Sequence, residues 1–125
     1  LSPADPVLTQ TMGFLLFREQ RFSEALEYVR RAGGAGGESF ESLSLEASIL
    51  IETGEPDRAE ELLRRAGGIR PESTLPFQLL IRIQSERGNR AGLIETLERY
   101  RAVIPQGSDE AVNVARWLDS LKTGR

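Results

Sequence analysis

Apolar residues recur along this chain at helical spacing, and breakers interrupt them at regular intervals. Ala25, Leu26, Val29 and Ala32 fall on one helical face, and Ala59, Leu62, Leu63 and Ala66 fall on another. Steps of three and four mark amphipathic helices rather than strands. Ala111, Val114, Ala115 and Leu118 continue the pattern towards the C-terminal end. With the breakers between them, these runs predict helices over 6–19, 22–33, 40–53, 56–67, 74–87, 90–104 and 108–122. Gly33–Ser39 is Gly-rich and 67–74 carries Gly, Pro and Ser, so both read as breaks between helix pairs. Within a pair the bends are short, at Gln20-Arg21, Gly54-Glu55 and Gly88-Asn89, which makes the two helices antiparallel neighbours. Pro56 suits a first helical turn, Asn89 an N-cap, and Ser108 or Asp109 the cap of the last helix.

The pattern repeats with a step of 34 residues. Arg-Arg-Ala-Gly-Gly occurs at 30–34 and again at 64–68. Gly54 and Gly88 share a phase, with Gln20 where a first glycine would stand; Pro3, Pro71 and Pro105 share another, with Gly37 at the missing place. Glu27/Arg31, Glu61/Arg65 and Glu95/Arg99 are i,i+4 pairs at one phase, each expected to add about 0.2–0.5 kcal/mol to its helix on a solvated face. A fixed period of this size is the mark of a helical repeat array.

These residues resemble the tetratricopeptide repeat (TPR) family, whose motif is a helix–turn–helix with small residues at helix crossings, a glycine at the bend and a proline at the end. Ala47, Gly54, Ala59, Ala66 and Pro71 carry the resemblance most fully. The first copy offers Gly13, Phe22, Ala25 and Ala32, and the third keeps Gly88 and Pro105 with Phe77 and Leu80. In the third copy Ile81, Leu93 and Tyr100 occupy positions where small residues are usual. The pentatricopeptide repeat, which reads RNA, has a step one residue longer and needs a basic surface, against a net charge of −3 here. The resemblance implies an all-α fold, a right-handed α-solenoid of antiparallel helix hairpins. It would form one domain over 1–125, with repeats at about 6–39, 40–73 and 74–107 and a helix at 108–122. Leu1-Ser2-Pro3 is in phase with Ile69-Arg70-Pro71, and the last helix with the first helix of a further repeat. A segment of a longer array is the expectation drawn from this, with a natural three-repeat domain closed by a solvating helix as the alternative.

Composition narrows the chemistry. With no His and no Cys, the chain lacks the commonest general base, the usual zinc ligands, a thiol nucleophile and any disulfide. The run Gly33–Gly37 lacks the Lys-Ser/Thr of a phosphate loop and follows no strand. Glu60-Glu61 sits at surface phases opposite arginines and reads as solvated rather than catalytic. The paired arginines at 30–31 and 64–65 read as helix ends that offset the C-terminal dipole. Trp117 stands among Val114, Leu118 and Leu121, so a packing role is expected of it ahead of a binding anchor. No apolar stretch approaches the roughly 20 residues of a membrane span. The expectation is therefore a protein without catalysis, cofactor, metal, nucleic-acid partner or membrane insertion of its own.

By the TPR resemblance, the first helix of each pair lines a concave face. The positions carried over are Gln10, Phe14, Phe17 and Arg18, then Ser44, Ser48, Ile51 and Glu52, then Gln78, Arg82, Ser85 and Glu86. Polar residues around a few apolar ones suit a peptide or helix laid in a groove. The Lys/Arg/Asn clamp by which some TPR domains hold a peptide carboxylate is missing; the comparable places hold Gln10, Phe14, Ser48 and Gln78, and only Arg18 and Arg82 supply charge. The implied function is a protein–protein interaction scaffold. Fifteen arginines against one lysine suggest a bacterial source, and with the repeat phasing they extend the resemblance to arrays of envelope or exopolysaccharide-export assemblies. A structural spacer and a regulatory domain of an enzyme outside the segment are the alternatives.

Overall fold

The computed structural model describes residues 5–33 and 39–124. Among them it contains α1 (Pro6–Arg18), α2 (Phe22–Ala32), α3 (Phe40–Glu52), α4 (Pro56–Ile69), α5 (Leu75–Glu86), α6 (Arg90–Arg101) and α7 (Asp109–Thr123), with no strand. The all-α class and the helix pairs follow the periodicity closely. They form two compact units, Leu1–Pro71 and Glu72–Arg125. The first holds the hairpins α1–α2 and α3–α4; the second holds the hairpin α5–α6 followed by α7.

Each bend is built the same way. The amide of Arg21 donates to the Leu16 carbonyl at 2.9 Å, Glu55 to Leu50 at 2.8 Å and Asn89 to Gln84 at 2.9 Å. The amides of Gln20, Gly54 and Gly88 close the inner bond to Phe17, Ile51 and Ser85. This six-to-one and five-to-two pairing satisfies the last carbonyls of the helix and requires a left-handed residue between. Gln20, Gly54 and Gly88 supply it, at φ 63°, 83° and 68°. The next helix then starts within two residues, which forces the antiparallel hairpin.

The starts are capped by short polar side chains. Asp5 accepts from the amides of Val7 and Leu8, and Ser39 and Ser42 satisfy each other's amides in a capping box. Asn89 caps α6 through Gly92, Ser108 caps α7 through Ala111, and Pro56 opens α4. The ends differ from expectation in two places. Gly67 and Gly68 do not break α4, which runs through them to Ile69. The stop comes from Pro71, which bars helical backbone at the residue before it, and Arg70 is extended at φ −128°, ψ 81°. α6 ends at Arg101 rather than 104, and the turn that follows brings Ile104 into the core at 4 % exposure. The readings on Leu1-Ser2-Pro3 and on residues 34–38 lie outside the described residues.

In the first unit, Leu16, Ala25, Val29 and Ile49 form a core that joins α1, α2 and α3, flanked by Phe17, Phe22 and Tyr28. Ala47, Leu50, Ala59, Leu63 and Ala66 are fully buried along α3 and α4. The alanines lie at the small-residue phase, where a side chain larger than methyl would push the helices apart. Arg70, at the end of α4, pairs with Glu41 at the start of α3 and stacks 4.7 Å over Phe40. A bond from its own amide first, and Arg70 second, hold the Glu41 carboxyl below the usual carboxylate range. The second unit is built on Leu93, Leu97, Tyr100, Ile104, Val114 and Leu118, with Phe77 and Ile81 packed against them.

The arginine pairs divide their tasks. Arg31 closes the expected pair with Glu27 at 2.6 Å, whereas Arg30 reaches across to Glu46 of α3 at 3.6 Å, and Arg64 faces Glu60 at 3.6 Å.

Candidate interaction surfaces

α1 places Phe14 and Arg18 one turn apart on its exposed side. Phe14 is 47 % exposed, and the Arg18 guanidinium lies 5.9 Å from its ring centroid, so the ring is oriented by a cation on its face. Gln10 is half-buried beside them. Phe17 turns towards the core and packs on Phe22 with ring centroids 5.8 Å apart, so its ring serves the hairpin more than the surface.

On α3 the four expected positions separate. Ser44 is buried at 5 % exposure and its Oγ meets no hydrogen-bond partner, so it offers no surface. Ser48 is half-buried and donates its hydroxyl to the Ser44 carbonyl at 2.9 Å. Ile51 is half-buried and Glu52 exposed.

In the second unit Gln78, Arg82, Ser85 and Glu86 are all exposed on α5, with Arg82 held to Glu86 at 3.2 Å. Beside Ser85 opens a cleft of about 460 Å³, lined by Gln84, Asn89, Arg90, Leu93, Trp117 and Leu121 among others. Trp117 is 39 % exposed there. The expected packing role therefore takes only part of its indole. Its apolar neighbours gave no sign of this, because Val114 and Leu118, flanked by Ala111 and Leu121, already fill the core side of α7.

Across the core, Tyr100 donates its hydroxyl to Glu110. Burial first, and then that carboxylate, push the Tyr100 phenol above its usual value. Among the described residues no group of three His, Cys, Asp or Glu side chains is placed to hold a metal ion, and no helix is long and apolar enough to cross a membrane.

No protein-family model matches the chain, and no curated protein sequence matches it. Solved structures do. The chain is similar to the Arabidopsis OM64 TPR domain, at 12 % identity over 92 % of this chain and 94 % of that one, with a TM-score of 0.76. The fold is that of a TPR domain. The Sgt2 TPR domain from Aspergillus fumigatus matches at 18 % identity over 98 % of this chain and 80 % of its own, TM-score 0.75. The first TPR of Spaghetti (RPAP3), bound to the HSP90 peptide SRMEEVD, matches at 14 % identity over 99 % and 98 %, TM-score 0.74. The TPR fold assigns α1, α3 and α5 as the first, or A, helices of their pairs and α2, α4 and α6 as the second, or B, helices.

Proposed function

We propose that the chain is a protein-interaction module, without catalysis of its own, that holds a peptide or helix of a partner protein against the A helices α1 and α3 of its first unit. The observation that carries this reading is the exposed Phe14 ring with Arg18 stacked on it, on a fold shared with a TPR domain bound to a peptide. A large aromatic and an arginine are the residue types that anchor interfaces. The half-buried Ser48 and Ile51 line α3 of the same unit. With no clamp for a terminal carboxylate, the occupant is gripped through apolar and hydrogen-bonding contacts along its length. A bacterial envelope or exopolysaccharide-export assembly is the narrower setting. It is supported by the repeat phasing and the arginine-rich composition, and locating the protein in fractionated cells tests it.

The binding test uses peptides selected by display on the intact chain. Binding of a selected peptide should weaken about tenfold or more in the Phe14→Ala/Arg18→Ala variant, with helix content by circular dichroism unchanged. Undiminished binding by that variant would sink the A-helix reading and favour a structural spacer or another face.

A further inference from the structure

Inside the first unit, a cleft of about 340 Å³ opens between the C-terminal half of α2, the N-terminal half of α3, and α4. Arg58 and Arg65 line it from α4, Arg30 from α2 and Glu46 from α3. Arg58, Leu62 and Arg65 follow one another at steps of four and three, so they share one face of α4. Leu43 and Leu62, only 4 % and 7 % exposed, form its apolar floor. Three guanidiniums thus meet one carboxylate, a local surplus of two positive charges in a chain whose net charge is −3. A cleft walled by buried side chains concentrates such a field.

The guanidiniums keep unused donors. Arg30 approaches Glu46 at 3.6 Å, which is longer than a hydrogen bond. Arg58 has no hydrogen bond or ion pair among the described residues, while Arg65 is already engaged. Elsewhere Arg21, Arg31, Arg70 and Arg82 each donate to a carboxylate. The repeat step does not account for the cluster either. Arg58 shares its phase with Glu24 and Gly92, and Glu46 with Met12 and Leu80. The charge pattern therefore belongs to this one cleft, not to the repeat.

We infer that the cleft binds a phosphate monoester, carried on a phosphorylated side chain or on a small free molecule. Such a group bears a charge of about −1.5 to −2 near neutral pH and three strong acceptor oxygens, which matches the surplus. The planar fork of arginine suits those oxygens two at a time. A lone carboxylate would leave half of the surplus uncompensated. A nucleic acid would need a basic surface many phosphates long, and this chain is acidic overall. Glu46 repels an anion on the side where it meets Arg30, so Arg58 and Arg65 on α4 carry most of the attraction. None of these residues is among those proposed to hold a peptide, so the two sites are tested independently.

The probe is the tripeptide acetyl-Ala-phosphoserine-Ala-amide, titrated into the intact nitrogen-15-labelled chain at about 0.15 M salt. The arginine Nε–Hε resonances report binding. Those of Arg30, Arg58 and Arg65 should shift saturably, with a Kd of about 1 mM or below. The matching glutamate tripeptide should bind at least about tenfold more weakly. Arg58→Gln should weaken phosphopeptide binding at least about tenfold, and Arg116→Gln on α7 should leave it unchanged. Arg58 and Arg116 are exposed, so both variants keep the fold, which circular dichroism verifies. Inorganic phosphate, titrated alongside, separates the sources. Affinity equal to that of the peptide supports a free phosphate, and weaker affinity supports a phosphorylated side chain. Shifts that grow without saturating, or that appear equally at Arg116, would reduce the effect to general screening and overturn the site. Undiminished binding by Arg58→Gln would overturn it as well, and equal binding of the glutamate tripeptide would overturn the phosphate assignment.

Discussion

Gln20 and Gly54 close their hairpins with the same left-handed backbone, φ 63° and 83°, although only one of them is glycine. The Cβ of an L-residue in that conformation crowds the carbonyl that follows, at a cost of about 1–2 kcal/mol. Glycine escapes the clash but loses about 0.5–1 kcal/mol more in chain entropy on folding. Gln20→Gly is therefore expected to stabilise the first hairpin by roughly 0.5–1 kcal/mol, and Gly54→Ala to destabilise the second by about 1 kcal/mol. Urea denaturation of both variants checks the pair, and a destabilising Gln20→Gly would contradict the strain argument.

Gly13 lets α1 approach α2. A Cβ built on it would stand 2.6 Å from Val29 Cγ2 and 3.3 Å from the Ala25 carbonyl oxygen. The carbonyl is backbone and cannot turn aside, and a β-branched valine in a helix has little rotamer choice. Gly13→Ala should lose about 1–3 kcal/mol to overpacking, offset in part by the better helix propensity of alanine, about 1 kcal/mol. A net loss is expected in denaturant titration.

Ala59 is completely buried on α4. Ala59→Leu inserts three carbons into that contact and should cost about 1–3 kcal/mol. An unchanged midpoint of unfolding would mean that the helices tolerate a wider separation than the alanine register implies.

Gln84 holds a position that its repeat mates give to leucine. Leu16, Leu50 and Leu118 share its phase in the 34-residue step and are buried. Gln84 is 1 % exposed, and its Oε1 accepts no hydrogen bond. Leaving such a group unsatisfied costs about 1–3 kcal/mol. Gln84→Leu installs the side chain that its repeat mates carry and removes the unpaired polar atom, so a rise in Tm is expected. A fall would show that the amide makes a contact worth more than its desolvation.

Tyr100 links stability to alkaline pH. Its folded pKa is raised above the ordinary 10.0, by burial first and by the Glu110 bond second. The stability it contributes is fully present below pH 10 and is lost as pH rises through the folded value. Melting curves between about pH 8 and pH 11 should therefore fall less steeply for Tyr100→Phe than for the wild type. Parallel profiles would show that the phenol keeps its ordinary pKa.

Much of the fold was legible because its signals are local. The three bends are set by residues inside one turn of a helix end. Gln20 was readable as a substitute for glycine only because the 34-residue step placed it with Gly54 and Gly88. Gly67 and Gly68 misled for a related reason: glycine weakens a helix by only about 1 kcal/mol, and the packed alanines of α4 outweigh it. The stop belongs to Pro71, whose ring acts on the residue before it whatever the surroundings.

The sequence by itself determined the helices, their hairpin pairing and their common register, since backbone hydrogen bonds and turn preferences depend on neighbours a few residues away. Tertiary structure alone decided which faces are covered, because burial depends on which other helix arrives from well beyond the local turn. That is why Ser44 turns inward while Phe14 stays out, why Trp117 is left half open, and why Leu8, Met12 and Leu15 are exposed where Ser42, Glu46 and Ile49 meet α2.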